Sequence, residues 1–319
     1  MEVPASSSSG VSPAVPSSPA ATATSAAVTA AAAAEPAAAA AARPDAYVTL
    51  LTSDSFLPGA ETLLYSLRKS GTDKALVAMV TPAVSARSRS ALRARGASVL
   101  EVEPIANPNP REGVHVAGWV NAGYTKLRLW GLVQFGRVLF LDADALVVEN
   151  VDALFGAARK AVAPFAAAPD VFPPDRFNAG VLLVTPDAAV LRRMLAAVEA
   201  KSCPSHDGGD TGFLNSFFPG WFGMPPEARL SFGYNAQRTL HWMTFAKQPG
   251  YWNAVAQDLK VLHFSSSPKP WEDTRKKGDL EMLWWQYFIE AKTALPVAAP
   301  GAPGGVSSAA ASLIGQFLG

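Results

Sequence analysis

Hydrophobic and polar positions alternate between two rhythms from residue 47 to residue 293. Tyr47-Val48-Thr49-Leu50-Leu51-Thr52 is a short apolar, β-branched run, the pattern of a buried strand. From Pro58 the spacing becomes helical, with Leu63, Leu64 and Leu67 on one face. A second strand is predicted over 75–80, closed by Thr81-Pro82, then a basic amphipathic helix over 85–95 and a third strand over 98–102. Residues 126–135 read as a helix whose apolar face is Leu127, Trp130, Leu132 and Val133, and Val138-Leu139-Phe140-Leu141 as the most apolar strand of the chain. The second half is less regular: strands at 181–184 and 260–264, helices at 188–200 and 280–292, and a short helix after a Gly/Asp turn at 207–210. Strands alternating with helices of these lengths predict an α/β fold, a mostly parallel sheet covered on both faces. There is no internal repeat and no sharp linker within 45–293.

Composition changes the picture at the ends. Residues 1–43 hold 18 Ala, 8 Ser and 5 Pro and no aromatic residue. Such a segment buries too little area to offset its ordering entropy, so 1–44 is expected to be a disordered tail, and 294–319 a second low-complexity tail. The first tail has no Lys or Arg before Arg43, and Glu35-Pro36 breaks its alanine run. It therefore lacks the marks of a signal or transit peptide. No segment is apolar over the length of a membrane span, and the expectation is a soluble, cytoplasmic protein with one domain at 45–293. Lys+Arg of 27 against Asp+Glu of 26 excludes a binder held to nucleic acid by a basic surplus. The lone Cys203 excludes an intrachain disulfide framework and a cysteine-based zinc site.

Ligands of mostly parallel sheets bind at the carboxyl ends of the strands. Directly after the strand ending at Leu141 comes Asp142-Ala143-Asp144. Extended backbone turns both carboxylates to one side, where they repel unless a cation lies between them. A divalent metal, Mg²⁺ or Mn²⁺, meets that need; two solvated turn residues are the plain alternative. His263, at the end of a late strand, is a candidate third ligand, and its nitrogen favours Mn²⁺. After a loop of small residues, Lys269 offers a point charge for a phosphate. Asp207-Gly208-Gly209-Asp210-Thr211-Gly212 permits close backbone approach to a ligand, with Asp210 either a ligand contact or a helix N-cap. Asn178, in Phe177-Asn178-Ala179-Gly180 ahead of a strand, is either a hydroxyl-binding group or a turn residue.

The order of these motifs is more informative than any one of them. The chain resembles the family 8 glycosyltransferases, the glycogenin and galactinol-synthase group with a GT-A fold. The resemblance runs through Tyr47-Val48-Thr49-Leu50, Thr125-Lys126-Leu127, Leu141-Asp142-Ala143-Asp144, Phe177-Asn178-Ala179-Gly180-Val181 and Asp207-Gly208-Gly209-Asp210. It continues in Phe213-Leu214-Asn215, Tyr234-Asn235, His263-Phe264 and Lys269-Pro270-Trp271. It implies a single, Rossmann-like GT-A domain that transfers a hexosyl group, glucose foremost, from a UDP-sugar to an acceptor hydroxyl, with retention of configuration and with Mn²⁺ (or Mg²⁺). By the resemblance Asp142, Asp144 and His263 are metal ligands. Leu50, Thr52, Ser53 and Phe56 line the uridine pocket, and Lys126 holds the donor. Asn178, Ala179, Asp207, Asp210 and Thr211 surround the transferred sugar, Ser266 and Lys269 face the diphosphate, and Ala143 contributes backbone. Asp210, Asp207 and Lys269 are the expected catalytic groups. The partners implied are the UDP-sugar, an acceptor that is a glycan, polyol, lipid or protein, and a second copy of the chain.

Two departures stand out. Thr211 occupies a position where animal glycogenins carry glutamine, and the self-glucosylated tyrosine of glycogenin aligns near Trp242, which has no hydroxyl. The readings to be separated are a transferase with a separate acceptor, a self-glucosylating primer, a non-catalytic nucleotide-sugar binder, and a phosphatase of the haloacid-dehalogenase type, which also places Asp-x-Asp after an apolar strand.

Overall fold

A computed structural model describes residues 43–108, 123–156, 165–272 and 278–294. Nearly all of the two expected tails, 1–44 and 294–319, lies outside these residues. The main sheet has six strands: β1 (Ala46–Leu51), β2 (Ala75–Val80), β3 (Ala97–Glu101), β4 (Val138–Leu141), β6 (Phe165–Pro169) and β7 (Phe177–Val184). Their order is β3-β2-β1-β4-β7-β6. The β1–β2, β2–β3 and β1–β4 pairs are parallel, and β4–β7 and β6–β7 are antiparallel. A sheet buried on both faces needs strands that are apolar throughout. β4 meets this with Val138, Leu139, Phe140 and Leu141 all fully buried. Each such side chain contributes about 1.5–3 kcal/mol by leaving water.

One face of the sheet is covered by α1 (Leu57–Lys69) and α2 (Ala86–Ala94), through Leu63, Leu64, Leu67 and Leu92 packed with Tyr47, Leu139 and Val181. The opposite face is covered by α3 (Ala188–Glu199), α4 (Asp210–Phe217) and the 3-10 segment Gly123–Gly131, which bring Met194, Phe213 and Trp130 against Val48, Phe140 and Leu182. The helix expected over 126–135 is thus a 3-10 helix that stops at Gly131. An added Cβ on Gly131 would lie 2.9 Å from a terminal methyl of Leu191, so this residue sits close against α3. The expected strand at 181–184 is longer, because Phe177-Asn178-Ala179-Gly180 belongs to β7 instead of preceding it; it pairs with β6 across a register shift between Ala167 and Ala168.

A second sheet is built from three very short strands, β5 (Ala145–Val147), β8 (Ala236–Gln237) and β9 (Val261–His263), in the order β5-β9-β8. It packs with α5 (Arg238–Thr244), α6 (Pro249–Val255) and α7 (Asp279–Thr293) through Leu146, Trp252, Leu262, Phe264 and Trp284. No helix among the described residues is long and apolar enough to cross a membrane.

Candidate active site

Asp142 leaves β4 with its backbone N–H donating to the Gly180 carbonyl on β7 at 2.8 Å, and the Ala145 N–H returns to the Asp142 carbonyl at 2.9 Å. This turn carries the chain from the main sheet into β5. There Ala145 pairs opposite His263, and the Phe264 N–H donates to the Asp144 carbonyl at 3.0 Å. The small sheet therefore delivers His263 to the end of β4. His263 Nε2 lies 3.2 Å from Asp144 Oδ1 and 3.8 Å from Asp142 Oδ2. One ligand atom from each residue falls within 4.8 Å of the other two. Two carboxylates and an imidazole nitrogen, drawn together at a strand end, are a donor set that fits a divalent cation such as Mn²⁺ or Mg²⁺.

Two buried lysines flank this cluster. Lys126 Nζ is 3.0 Å from Asp142 Oδ1, 2.6 Å from Asp210 Oδ2 and 3.0 Å from the Ala179 carbonyl, over the Phe140 ring. Lys269 Nζ is 2.5 Å from Asp144 Oδ2 and 2.8 Å from the Phe264 carbonyl. Burial alone pushes Asp144 upward, but Lys269 and His263 outweigh it and hold its carboxyl well below the usual carboxylate range. Burial would lower Lys126; Asp142 and Asp210 reverse this and raise it. Asp210 goes the other way: burial pushes it up to about 6 against the opposing pull of Lys126, and the negative charge of Asp142 adds to the rise.

Asp210 opens α4 but does not cap it. Asp207 does that work from outside the helix: its Oδ1 accepts from the backbone N–H groups of Gly209 and Gly212, both at 2.9 Å, and from Ser205 Oγ at 2.7 Å. Asp210 is left to face Lys126. Thr211 points at the sheet, its Oγ1 accepting from the Ala179 N–H at 3.2 Å. Asn178 lies behind His263: its Oδ1 accepts from the Gly180 N–H at 2.9 Å and from Asn235 Nδ2 at 3.0 Å.

The expected uridine-pocket residues sit at the carboxyl end of β1 and just after it. Leu50, Thr52 and Ser53 are half-buried there; the Thr52 carbonyl accepts from Thr81 Oγ1, and Ser53 Oγ lies 2.7 Å from Ser55 Oγ. Phe56 meets Trp271 edge-on at 5.7 Å, and Trp271 Nε1 donates to the Ser55 carbonyl. Gly59, in the first turn of α1, joins this region to the aspartates: an added Cβ would come within 2.3 Å of the Ala143 carbonyl oxygen and 2.6 Å of the Trp271 ring. Asp142, Asp144, His263, Lys126, Asp210 and Lys269 thus form one ion-paired cluster. Asp207, Thr211 and Ser266 are engaged in positioning backbone.

Sequence reasoning missed Arg238. It is fully buried, pairs with Glu281 at 2.8 Å, and donates through one terminal nitrogen to the Ser266 and Pro268 carbonyls at 2.7 and 2.8 Å and to Ser266 Oγ at 3.1 Å. It fixes the 265–269 loop that carries Lys269. A buried arginine in a segment of mixed polarity leaves no periodic signal; only its acidic partner, 43 positions away, explains it.

The glycosyl transferase family 8 model matches residues 47–275. Glycogenin-1 of Oryctolagus cuniculus is 33% identical over 263 residues, covering 76% of this chain and 75% of its own length. The chain belongs to glycosyl transferase family 8. Among other family 8 relatives, glycogenin-1 of Caenorhabditis elegans is 35% identical over 229 residues (71% of this chain, 51% of its own), and inositol phosphorylceramide glucuronosyltransferase 1 of Arabidopsis thaliana is 32% identical over 262 residues (76% and 43%). The chain spans about half the length of these two curated relatives, or less. The galactosyltransferase LgtC, solved with donor and acceptor sugar analogs, superposes with a TM-score of 0.57 at 18% identity, over 80% of this chain and 98% of LgtC. That likeness establishes the GT-A fold. Family 8 membership leaves the dehalogenase-type reading without support.

Proposed function

We propose that this family 8 protein is a metal-dependent retaining glycosyltransferase that moves a hexosyl group, glucose first among the candidates, from a UDP-sugar to an acceptor hydroxyl. The observation that carries the reading is the Asp142–Asp144–His263 cluster at the carboxyl end of β4, flanked by Lys269 and the Lys126–Asp210 pair. Asp142, Asp144 and His263 would hold Mn²⁺. When bound, the cation neutralises charge on the diphosphate leaving group. Lys269 adds a second positive charge on the same side, held in place by the loop that Arg238 clamps. The carboxylate of Asp210 steadies the positive charge that develops on the sugar as the glycosidic bond breaks, with Lys126 fixing its position. Asp207 contributes by holding the backbone that presents Asp210.

The decisive experiment is UDP release from a panel of UDP-sugars, with Mn²⁺ and then with EDTA. Mn²⁺-dependent turnover of one donor is expected; turnover undiminished by EDTA overturns the metal assignment. Absence of both turnover and calorimetric UDP–Mn²⁺ binding overturns the enzyme reading. Binding without turnover supports a nucleotide-sugar-binding protein or one that requires its acceptor. A self-glucosylating primer is the second reading, favoured by the glycogenin relatives. Against it, Trp242 stands where the resemblance aligns the acceptor tyrosine, and its ring lies 3.9 Å from the Arg238 guanidinium. Tyr251, further along the chain on α6, is a half-exposed hydroxyl. Intact mass after incubation with the active donor decides: an added hexose supports self-glucosylation, and an unchanged mass supports a separate acceptor. We place the activity in the cytoplasm, in keeping with the absence of a spanning helix among the described residues.

A further inference from the structure

His263 has two ring nitrogens, and only Nε2 faces the aspartates. Nδ1 faces away and lies 2.8 Å from Asn235 Oδ1. An imidazole is useful to a cation only if the nitrogen facing it carries a lone pair, so the proton must sit on the other one. The hydrogen bonds behind the ring determine where it sits.

The polarity starts from a group that cannot be reversed. The Gly180 backbone N–H can only donate, and it donates to Asn178 Oδ1 at 2.9 Å. This fixes which end of the Asn178 amide is oxygen. The other end, Nδ2, points at Asp170 Oδ2 at 3.5 Å, and a carboxylate only accepts. With Asn178 Oδ1 fixed, the Asn235 group 3.0 Å from it must be the Nδ2 donor. Asn235 Oδ1 is thereby turned to His263, where it accepts from Nδ1–H. Gly180 also forms the floor beneath the ring: an added Cβ would lie 2.2 Å from His263 Cε1 and 2.6 Å from Nδ1. Asp170 is itself held, its Oδ1 accepting from Gln237 Nε2 at 3.0 Å and from the Val171 N–H at 2.7 Å.

We propose that Asn178 and Asn235 are positioning residues that form an amide relay of fixed direction, rooted in the Gly180 N–H, which keeps a proton on His263 Nδ1 and so leaves Nε2 as the nitrogen that would give its lone pair to a cation held by Asp142 and Asp144. The proposal rests on the metal-site reading above for its purpose, but not for its test. Asn178 acts on His263 through Asn235.

The test uses the full chain labelled with ¹⁵N-histidine, without added metal. The chain has only four histidines, so His263→Gln assigns the resonance. A protonated, slowly exchanging Nδ1–H is expected for His263. It should disappear in Asn235→Leu, become faster-exchanging in Asn178→Ala, and persist in Asn235→Asp, which keeps an acceptor at that place. An unprotonated Nδ1 in the parent protein, or a signal indifferent to Asn235→Leu, overturns the relay. Calorimetry with Mn²⁺ alone is the second readout. Asn235→Leu should raise Kd about 10–100-fold with an unchanged far-UV spectrum, and Asn235→Asp should recover most of the affinity. An unchanged Kd in Asn235→Leu also overturns the proposal. Failure of the parent protein to bind Mn²⁺ would sink the metal-site reading, and the Nδ1–H signal would still judge the relay.

Discussion

The two sheets of this protein solve the same problem by opposite means. In the main sheet, β1, β2 and β4 are apolar nearly throughout and are buried by helices on both faces, so each strand is stabilised chiefly by its own side chains. In the small sheet the strands are two or three residues long, and they exist because distant segments meet. The main sheet supplies Asp142 at a rigid strand end; the small sheet supplies His263 and carries Asp144 into place. Both regions have buried cores, while the candidate site lies where the main sheet hands over to the small one.

The sharpest break is at Asp142, the cluster member nearest solvent. Asp142→Asn should cut Mn²⁺-dependent UDP release by about 10²–10³-fold, the scale on which a preorganised charge-stabilising group acts, while far-UV circular dichroism stays native. Full activity in this variant would refute the metal assignment. Asp144→Ala should inactivate the protein too, but it also strands the buried Lys269 ammonium. A stability loss of about 3–5 kcal/mol is expected by urea titration, and a double variant Asp144→Ala, Lys269→Met should regain part of it.

Two leucines compare the sheets directly. Leu139 on β4 and Leu262 on β9 are both buried. Each Leu→Ala change should cost about 2–5 kcal/mol. Only Leu262→Ala, next to His263, should also raise the Mn²⁺ concentration needed for half-maximal rate; equal metal requirements would mean the small sheet does not position the ligand. Acid acts on the same contrast. Asp210 has a folded value of about 6, above its ordinary 3.8. Its contribution to stability is therefore present below pH 4 and is lost as pH rises through 6, so the carboxylate form that the proposed mechanism uses is held at a cost to the fold. The rate should fall as pH drops below about 6, and a rate flat to pH 5 would separate Asp210 from catalysis. The smallest effect is expected far from the handover: Ser85→Ala removes the cap whose Oγ accepts from the Ser88 N–H and should cost about 1 kcal/mol with the rate unchanged.

What could be read from the chain divides along the same line. β1, β2 and β4 announce themselves, because a strand buried on both faces must be apolar at every position. Asp142, Asp144 and His263 were legible as candidate ligands from their places at strand ends. β8 was not, since Ala236–Gln237 is too short to show any period, and β6 is largely alanine, which marks neither strand nor helix by burial. The direction of β7 was also hidden; an apolar run says nothing of whether its neighbour is parallel. Asn235 and Arg238 act through partners 57 and 43 positions away, and no local pattern encodes such a pairing.

The pairing of Ala145 with His263 has a consequence in time as well as in space. Closing so long a loop must precede any reward from the contact it makes, so this pairing is expected to form late in folding. On a ribosome adding about 5–20 residues per second, Asp142 and Asp144 emerge several seconds before the histidine that completes them. The nascent chain can build β1, β2 and β4 in that interval, and the site becomes competent only after nearly the whole domain has been made.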